Sequence, residues 1–306
     1  MTGTWKELRM KLRCDLRVLL LGLASTSSLI GQVDAREIIR KAVAADERNW
    51  QIARSYAFLE RVELRRLDSQ GRVKLSEVQT YDVTLQAGTP YRQLVQRDDR
   101  PLIATEEKKE RESLAKSIAE RRQETTAERA RRLFAYESRP DWQREAWNEL
   151  PDAFEFRLFG DGILDGRSVF IIEATPRQGY QARSGTAKMF HSLKGRFWVD
   201  QQDRQIVKVE VEVIDTISMG LFLVRVAKGS HATLELTSVR DGVWLPDRLQ
   251  VFASARLGLL KALRIEQTVR YSRYSSTPAD ALAICPAEGR DTRNAGLNRF
   301  AKATSP

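Results

Sequence analysis

The residue types that most often carry out chemistry are few in this sequence, and they are not spaced for it. His191 and His231 are the only histidines, and neither has a second ligand at the spacing of a helical metal site. Residues 160–166 (GDGILDG) look superficially like a calcium loop, but they lack the alternating oxygen ligands and the closing glutamate of an EF-hand. Phosphate-binding glycine loops, dinucleotide fingerprints and nucleophile elbows are absent. The sequence therefore predicts a non-enzyme with no metal and no cofactor. A pair of carboxylates for glycoside chemistry stays open, because any two strands could supply one.

Aromatic residues offer a different kind of site, which is an apolar surface. Six of them fall inside segments that alternate like β-strands, and we take them as candidate lipid-groove residues: Trp198, Trp244, Phe154, Phe156, Phe170 and Phe222. Such side chains either fill an ordinary core or line an apolar groove on one face of a curved sheet. Both interpretations stay open at this point.

The elements that must position these residues are mainly strands. About eleven segments between residues 56 and 275 alternate with period two. The gaps between them are too short for parallel crossovers, so the sheet is predicted to be antiparallel. Turns are predicted at residues 68–71 (DSQG), 160–162 (GDG), 165–166 (DG) and 241–242 (DG). Four valines, Val207, Val209, Val211 and Val213, are predicted to share one face that meets a helix or the interior.

Two regions have helical patterns instead. Residues 36–54 carry apolar residues at roughly helical spacing. Residues 104–150 interrupt the strands with strong helix formers of both charge signs, and they predict one or two exposed helices followed by a short helix containing Trp142 and Trp147. This charged insertion is either a solvated helical surface, or a lid or basic surface that meets a partner.

The N-terminal residues predict export. Basic residues precede a short apolar run that begins at Val18, and residues 33–35 (VDA) place small side chains where a signal peptidase reads them. The run is too short for a membrane span, and an uncleaved anchor is the alternative. We therefore predict a periplasmic protein with a signal peptide at 1–35, one β domain at 36–275 that contains the insertion 104–150, and a loose tail at 276–306.

Composition limits the class of protein further. The chain has 306 residues, of which 42% are hydrophobic and 30% charged, and this balance excludes wholesale disorder and a multi-span membrane protein. Two cysteines exclude a disulfide-stapled scaffold. Net charge is +10, and the excess could attract an anionic membrane surface or an acidic partner. Nucleic acid is not expected as a partner of an exported protein.

A family resemblance rests on two hairpin-like segments. Residues 195–200 (GRFWVD), followed by 205–210 (QIVKVE), resemble a hairpin of the exported outer-membrane lipoprotein-sorting proteins, the LolA/LolB-like superfamily. Residues 228–229 (KG) and 241–246 (DGVWLP) resemble a later strand pair of the same group. The resemblance implies a mainly β fold with helices (α+β), in which an unclosed, highly curved antiparallel half-barrel of about eleven strands has helices plugging its mouth. It also implies an apolar cavity for acyl chains. The insertion 104–150 departs from the family pattern.

These patterns together predict an exported, monomeric, non-catalytic carrier that binds the acyl chain of a lipid or lipoprotein in an apolar groove. Such binding needs apolar area rather than a catalytic group, because each buried methylene contributes roughly 0.8 kcal/mol. Two alternatives stay open. One is a structural or interaction module of the same fold whose groove is filled by side chains, and the other is an envelope enzyme.

Overall fold

The computed structural model describes residues 34–138, 140–219, 224–240, 242–257 and 261–276. Within these ranges, 13 strands form one sheet, accompanied by four α-helices and one 3-10 helix. The predicted α+β class is therefore confirmed. Nearly all of the predicted signal peptide, the tail beyond residue 276, and Phe222 lie outside the described residues.

The bounds of the elements agree closely with the alternating segments. The helices are α1 Ala35–Ala53, α2 Ala104–Gln123, α3 Thr126–Glu137 and α4 Asp141–Ala153, and the 3-10 helix is Ala187–Ser192. The strands are β1 Tyr56–Leu67, β2 Val73–Gln86, β3 Thr89–Arg97, β4 Arg100–Pro101, β5 Phe154–Leu164, β6 Arg167–Pro176, β7 Leu193–Asp200, β8 Ile206–Val213, β9 Ile217–Met219, β10 Val224–Val226, β11 His231–Arg240, β12 Val243–Leu257 and β13 Lys261–Ser276.

The sheet is antiparallel and unclosed. Its strand order is β4-β3-β2-β1-β13-β12-β11-β8-β7-β6-β5, with β10 paired to β12 and β9 paired to β10. Most neighbours in this order are consecutive in the chain, because short turns join them as hairpins. The pairing of β1 with β13 connects the two hairpin series. In the described part of the chain β4 and β5 stay at opposite ends of the order, which confirms the predicted half-barrel.

Turn chemistry explains where two of the hairpins reverse. At residues 68–71 the Asp68 carboxylate accepts hydrogen bonds from the backbone amides of Gln70 and Arg72. Gly71 has a φ of 80°, a conformation that favours glycine. The turn predicted at residues 160–162 is wrong. These residues continue β5 past a bulge that begins after Leu158, and the chain reverses only at residues 165–166, which both have positive φ.

The two faces of the sheet have opposite character, because side chains alternate with period two along each strand. One face, which we call the apolar face, carries a row of apolar residues in direct register across eight strands: Val62, Val269, Leu249, Leu234, Val209, Phe197, Ile172 and Leu158. The opposite face, which we call the charged face, carries the neighbouring row: Glu63, Thr268, Gln250, Thr233, Glu210, Arg196, Glu173 and Arg157.

Helices α1 and α4 cover one half of the apolar face. Helix α1 packs on β5, β7, β8 and β12, and α4 packs on α1, β5 and the 3-10 helix. The α1 residues Ile39 and Ala42 are completely buried, in one cluster with Ile172 and Val199 of the sheet. The apolar spacing predicted for residues 36–54 is therefore the helical stripe that forms the core.

The four valines of β8 do not all share one face. Val209 packs against the core under α1, as expected for the apolar face. Val207 instead joins a second cluster with Val169 and Trp244 on the charged face. A β-bulge between Trp198 and Val199 shifts the pairing of β7 with β8 at this point. The expectation of one common face is wrong for Val207, because a bulge reverses the inside-outside order of the residues beyond it.

The charged insertion folds as α2, α3 and α4, and its first two helices are attached by hydrogen bonds rather than by a core. Neither α2 nor α3 has a buried residue. Arg121 donates to the Gln86 carbonyl at 2.5 Å, and Arg132 donates to the Ala87 carbonyl at 3.1 Å, so both arginines cap the turn between β2 and β3. The Tyr136 hydroxyl donates to a backbone carbonyl at the end of α1.

Candidate binding site

The aromatic candidates do not line one surface. Phe154, Phe156 and Phe170 lie on the apolar face and pack into the core under α1 and α4. Trp198 and Trp244 belong to the cluster on the charged face. The alternation of side chains along a strand separates these two groups, because β7 places Phe197 on one face and Trp198 on the other.

The three phenylalanines are surrounded by protein side chains. The Phe154 ring lies 5.2 Å from the Phe190 ring of the 3-10 helix and 6.2 Å from the Phe156 ring, measured between centroids. The Phe156 ring lies 6.4 Å from the Phe197 ring. These contacts are typical of a packed aromatic core. The β5–β8 half of the apolar face is thus filled by the protein itself.

Trp244 is fixed by polar partners on the charged face. Its indole Nε1 donates to Asp203 Oδ2 at 3.0 Å, and the Arg167 guanidinium lies 5.1 Å from the ring centroid. The adjoining cleft has a volume of about 150 Å³ and is lined in part by Arg167, Asp200 and Val207. That volume is smaller than the roughly 300 Å³ at which ligand pockets usually begin.

Asp200, the aspartate of the GRFWVD segment, organises the turn between β7 and β8. It is 1% exposed. Arg167 donates to its two carboxylate oxygens at 2.6 and 3.0 Å, and the backbone amides of Gln202 and Asp203 donate at 2.9 and 2.6 Å. Burial alone raises the pKa of Asp200, but the hydrogen bonds from Arg167 and the Asp203 amide outweigh it and hold the pKa below its usual value. Asp200 is therefore a structural anion.

Asn49 connects α1 to the sheet, and sequence reasoning missed it. Its side-chain amide donates to the Trp244 carbonyl at 2.7 Å and accepts from the Trp244 amide at 2.9 Å, so it mimics a paired strand. Asn49 is buried. The available signal was an asparagine seven residues after Ala42 on the apolar stripe of a predicted helix.

The other half of the apolar face, over β11, β12, β13 and β1, is only partly covered. In the apolar row, Val62, Leu249 and Leu234 are half-buried, whereas Val269 is buried. Helix α1 reaches β12 at one side of this half. Helices α2 and α3 pack on β3, which is separated from β1 by β2 at the other side. A half-covered aliphatic surface between two groups of helices is the feature of this fold most suited to an apolar ligand.

The charged face carries two larger clefts. One, of about 470 Å³, is lined by side chains of β1, β12 and β13, and the other, of about 430 Å³, is lined by residues of β6, β7, β8 and β11. Gln250 in the first cleft pairs directly with Thr233 in the second. The first cleft is lined mostly by charged residues, and the second is lined by a mixture of charged, polar and small residues, so both suit polar groups better than an acyl chain.

The described ranges contain neither a cluster of metal ligands nor a membrane-spanning helix. No three residues among histidine, cysteine, aspartate and glutamate are grouped as metal ligands there. None of the helices in the described part of the chain is long and apolar enough to cross a membrane. Both histidines are exposed, and the His231 ring stacks on the Phe252 ring at 5.2 Å between centroids.

No family model and no curated protein matches this chain. Its fold is distantly similar to LolA-superfamily structures. A domain described as an outer membrane lipoprotein-sorting protein, from Vibrio parahaemolyticus, has 11% identity and a TM-score of 0.34 over 79% of this chain and 97% of its own. A DUF1329 family protein from Desulfovibrio piger has 10% identity and a TM-score of 0.32, over 81% and 96% of the two chains. A LolA superfamily protein from Nitrosomonas europaea has 14% identity and a TM-score of 0.27, over 80% and 94%.

Proposed function

We propose that this protein is an exported, non-catalytic carrier that binds the acyl chain of a lipid or lipoprotein on the half-covered part of its apolar face. The observation that supports this most directly is the apolar row. It continues beyond the half of the face that helices α1 and α4 cover, from Val209 through Leu234 and Leu249 to Val62. A protein that needed this face only for its own core would be expected to cover it with helices along its whole length.

The dimensions of this surface suit an extended chain. Neighbouring strands are about 4.8 Å apart, so the four strands from β11 to β1 provide a path of roughly 14 Å across the sheet. About eight methylenes buried along it would contribute roughly 6 kcal/mol before the costs of association are subtracted. This is enough for reversible binding, which a carrier requires.

Export is part of the same proposal and has its own test. Ala35 is the first residue of α1 and is buried in the core, so cleavage before Gln32 would preserve the whole helix, and cleavage before Arg36 would remove only its first residue. We expect N-terminal sequencing of protein from the envelope fraction to begin near Gln32 or Arg36. Recovery of protein that begins at Met1 or Met10 would contradict cleavage.

A substitution in the apolar row tests acyl binding. We expect Leu234→Gln to weaken binding of a lysophospholipid or fatty acid about tenfold, because it places an amide against the chain and removes apolar area. The control is Thr233→Gln, a half-buried neighbour on the same strand that faces the charged side, and it should leave affinity unchanged. Titration by calorimetry, with native mass spectrometry of the purified protein, measures both. Equal losses for the two variants would place the ligand elsewhere.

A second candidate function is an interaction module with a filled groove. It is favoured by the packing of Phe154, Phe156 and Phe170 against the core under helices α1 and α4, which fills part of the apolar face over β5 and β6. The same experiment separates the two functions. A wild-type protein that retains no lipid and binds none would support the interaction module over the carrier.

A further inference from the structure

Three arginines stand side by side on the charged face, on the side of the sheet opposite the apolar row. Arg61 of β1 lies directly opposite Arg270 of β13, and Arg270 lies directly opposite Arg248 of β12. Like charges in directly opposed positions of neighbouring strands destabilise a sheet. An uninterrupted row of three arginines is therefore a feature that packing alone does not explain.

The three arginines differ in how far their charge is compensated. Arg61 is held by Asp99 through two contacts of 2.7 Å, with Glu63 at 3.4 Å. Arg248 has a longer contact, 3.6 Å from Nε to a Glu235 carboxylate oxygen, and that buried Nε forms no hydrogen bond. Arg270, in the middle, has no carboxylate within ion-pair distance among the described residues.

Arg270 also borders the larger cleft. The cleft of about 470 Å³ has Thr268 and Gln250 beside Arg270, and these short or neutral side chains sit between the longer charged ones. Two carboxylates also line the cleft. Glu63 lies directly opposite Thr268 and pairs with Arg61 at 3.4 Å and with Arg65 at 2.6 Å, and Glu266 lies further along β13, where Arg65 pairs with it at 3.9 Å. The end of the cleft at Arg270 thus combines an uncompensated guanidinium with a hydroxyl and an amide that can donate hydrogen bonds.

We propose that this cleft binds a phosphate-type oxyanion at Arg270, supported by Arg248, Thr268 and Gln250. A tetrahedral dianion matches the fork of a guanidinium and accepts several hydrogen bonds at once. It would compensate the central charge of the row. The site lies on the opposite face from the proposed acyl surface, so it is independent of that function.

Thermal unfolding with and without millimolar inorganic phosphate tests the site, with ionic strength matched by chloride. We expect phosphate to raise the Tm of the wild-type protein by about 2 °C, and to leave the Tm of Arg270→Gln unchanged. Without phosphate, Arg270→Gln should melt at or above the wild-type temperature, because it removes repulsion within the row. The control Arg240→Gln, which changes an exposed arginine of β11 outside the row, should keep the phosphate response.

Three results would overturn the proposal: no phosphate response in the wild type, an equal response in Arg270→Gln, or a lower Tm of Arg270→Gln without phosphate. A second variant, Thr268→Val, keeps the side-chain shape and should reduce the phosphate response without removing it.

Vesicles then distinguish the sources of the phosphate group. If the natural ligand is a lipid head group, wild-type protein should sediment with phosphatidic acid vesicles and Arg270→Gln should not. If it is a soluble phosphate compound, the calorimetric binding of inorganic phosphate should persist while both proteins stay in the supernatant.

Discussion

Replacing Asp200 by alanine is expected to lower the free energy of unfolding by about 4 kcal/mol, because it leaves a partly buried arginine and two turn amides without their carboxylate. Arg167 would keep only Asp203, at 2.8 Å, and the β7–β8 turn would lose the acceptor that holds its backbone. Urea unfolding followed by tryptophan fluorescence measures the change.

The control for this prediction is Asp215→Ala. Asp215 is exposed and accepts a hydrogen bond only from the adjacent Thr216 amide among the described contacts, so its loss should cost less than about 1 kcal/mol. If the two variants unfold at similar urea concentrations, Asp200 does not organise the turn.

The effect of Asp200 should depend on pH in a defined direction. Its pKa is lower in the folded protein than in the unfolded chain, where an aspartate titrates near 3.9. The contribution of Asp200 to the free energy of unfolding is therefore fully present above about pH 4, and it is lost as the pH falls through the folded-state pKa. The stability difference between wild type and Asp200→Ala should be constant near neutral pH and should shrink only in acid. A difference that changes between pH 6 and 8 would contradict this assignment.

Replacing Asn49 by leucine is expected to lower the free energy of unfolding by about 3 kcal/mol. The substitution leaves the amide and the carbonyl of Trp244 buried without partners, and each unsatisfied group costs about 1–3 kcal/mol. The greater hydrophobicity of leucine cannot compensate for this loss, because the residue faces backbone polar groups. Differential scanning calorimetry and urea unfolding measure the change.

Gln51→Leu is the matched control. Gln51 lies on the same helix but is exposed, and among the described contacts its side chain hydrogen-bonds only to Glu47, at 3.5 Å. It should change stability by less than about 0.5 kcal/mol. A comparable loss in both variants would indicate that the helix itself, rather than its attachment to β12, is sensitive to substitution.

The strands and their order were predictable because they depend on local patterns. Alternation with period two marked β1, β8 and β13, a continuous apolar run marked β6, and turn residues such as Asp68 and Gly71 marked the reversals. Short connections then make sequence neighbours pair in space. The helical insertion followed from composition and spacing in the same way, whereas the half-barrel class followed from the family resemblance and export stays a prediction.

Residue types did not predict that the candidate aromatic residues would be divided between the two faces of the sheet. Trp198 and Phe197 are both large, apolar and mid-strand, and only the register decides that Phe197 enters the core and Trp198 the charged face. A single bulge after Trp198 then moved Val207 away from Val209, because one inserted residue reverses every later position.

Local patterns in the sequence were sufficient for the alternating strands, for the turns at residues 68–71 and 165–166 and for the helical stripe of α1, since each depends on neighbours within a few positions. Only the tertiary structure decided which residues meet across long separations, such as Asn49 with Trp244 and Arg61 with Arg270. These contacts arise where strands distant in sequence come into register. Their energies depend on burial and on opposed charges, which no local pattern contains.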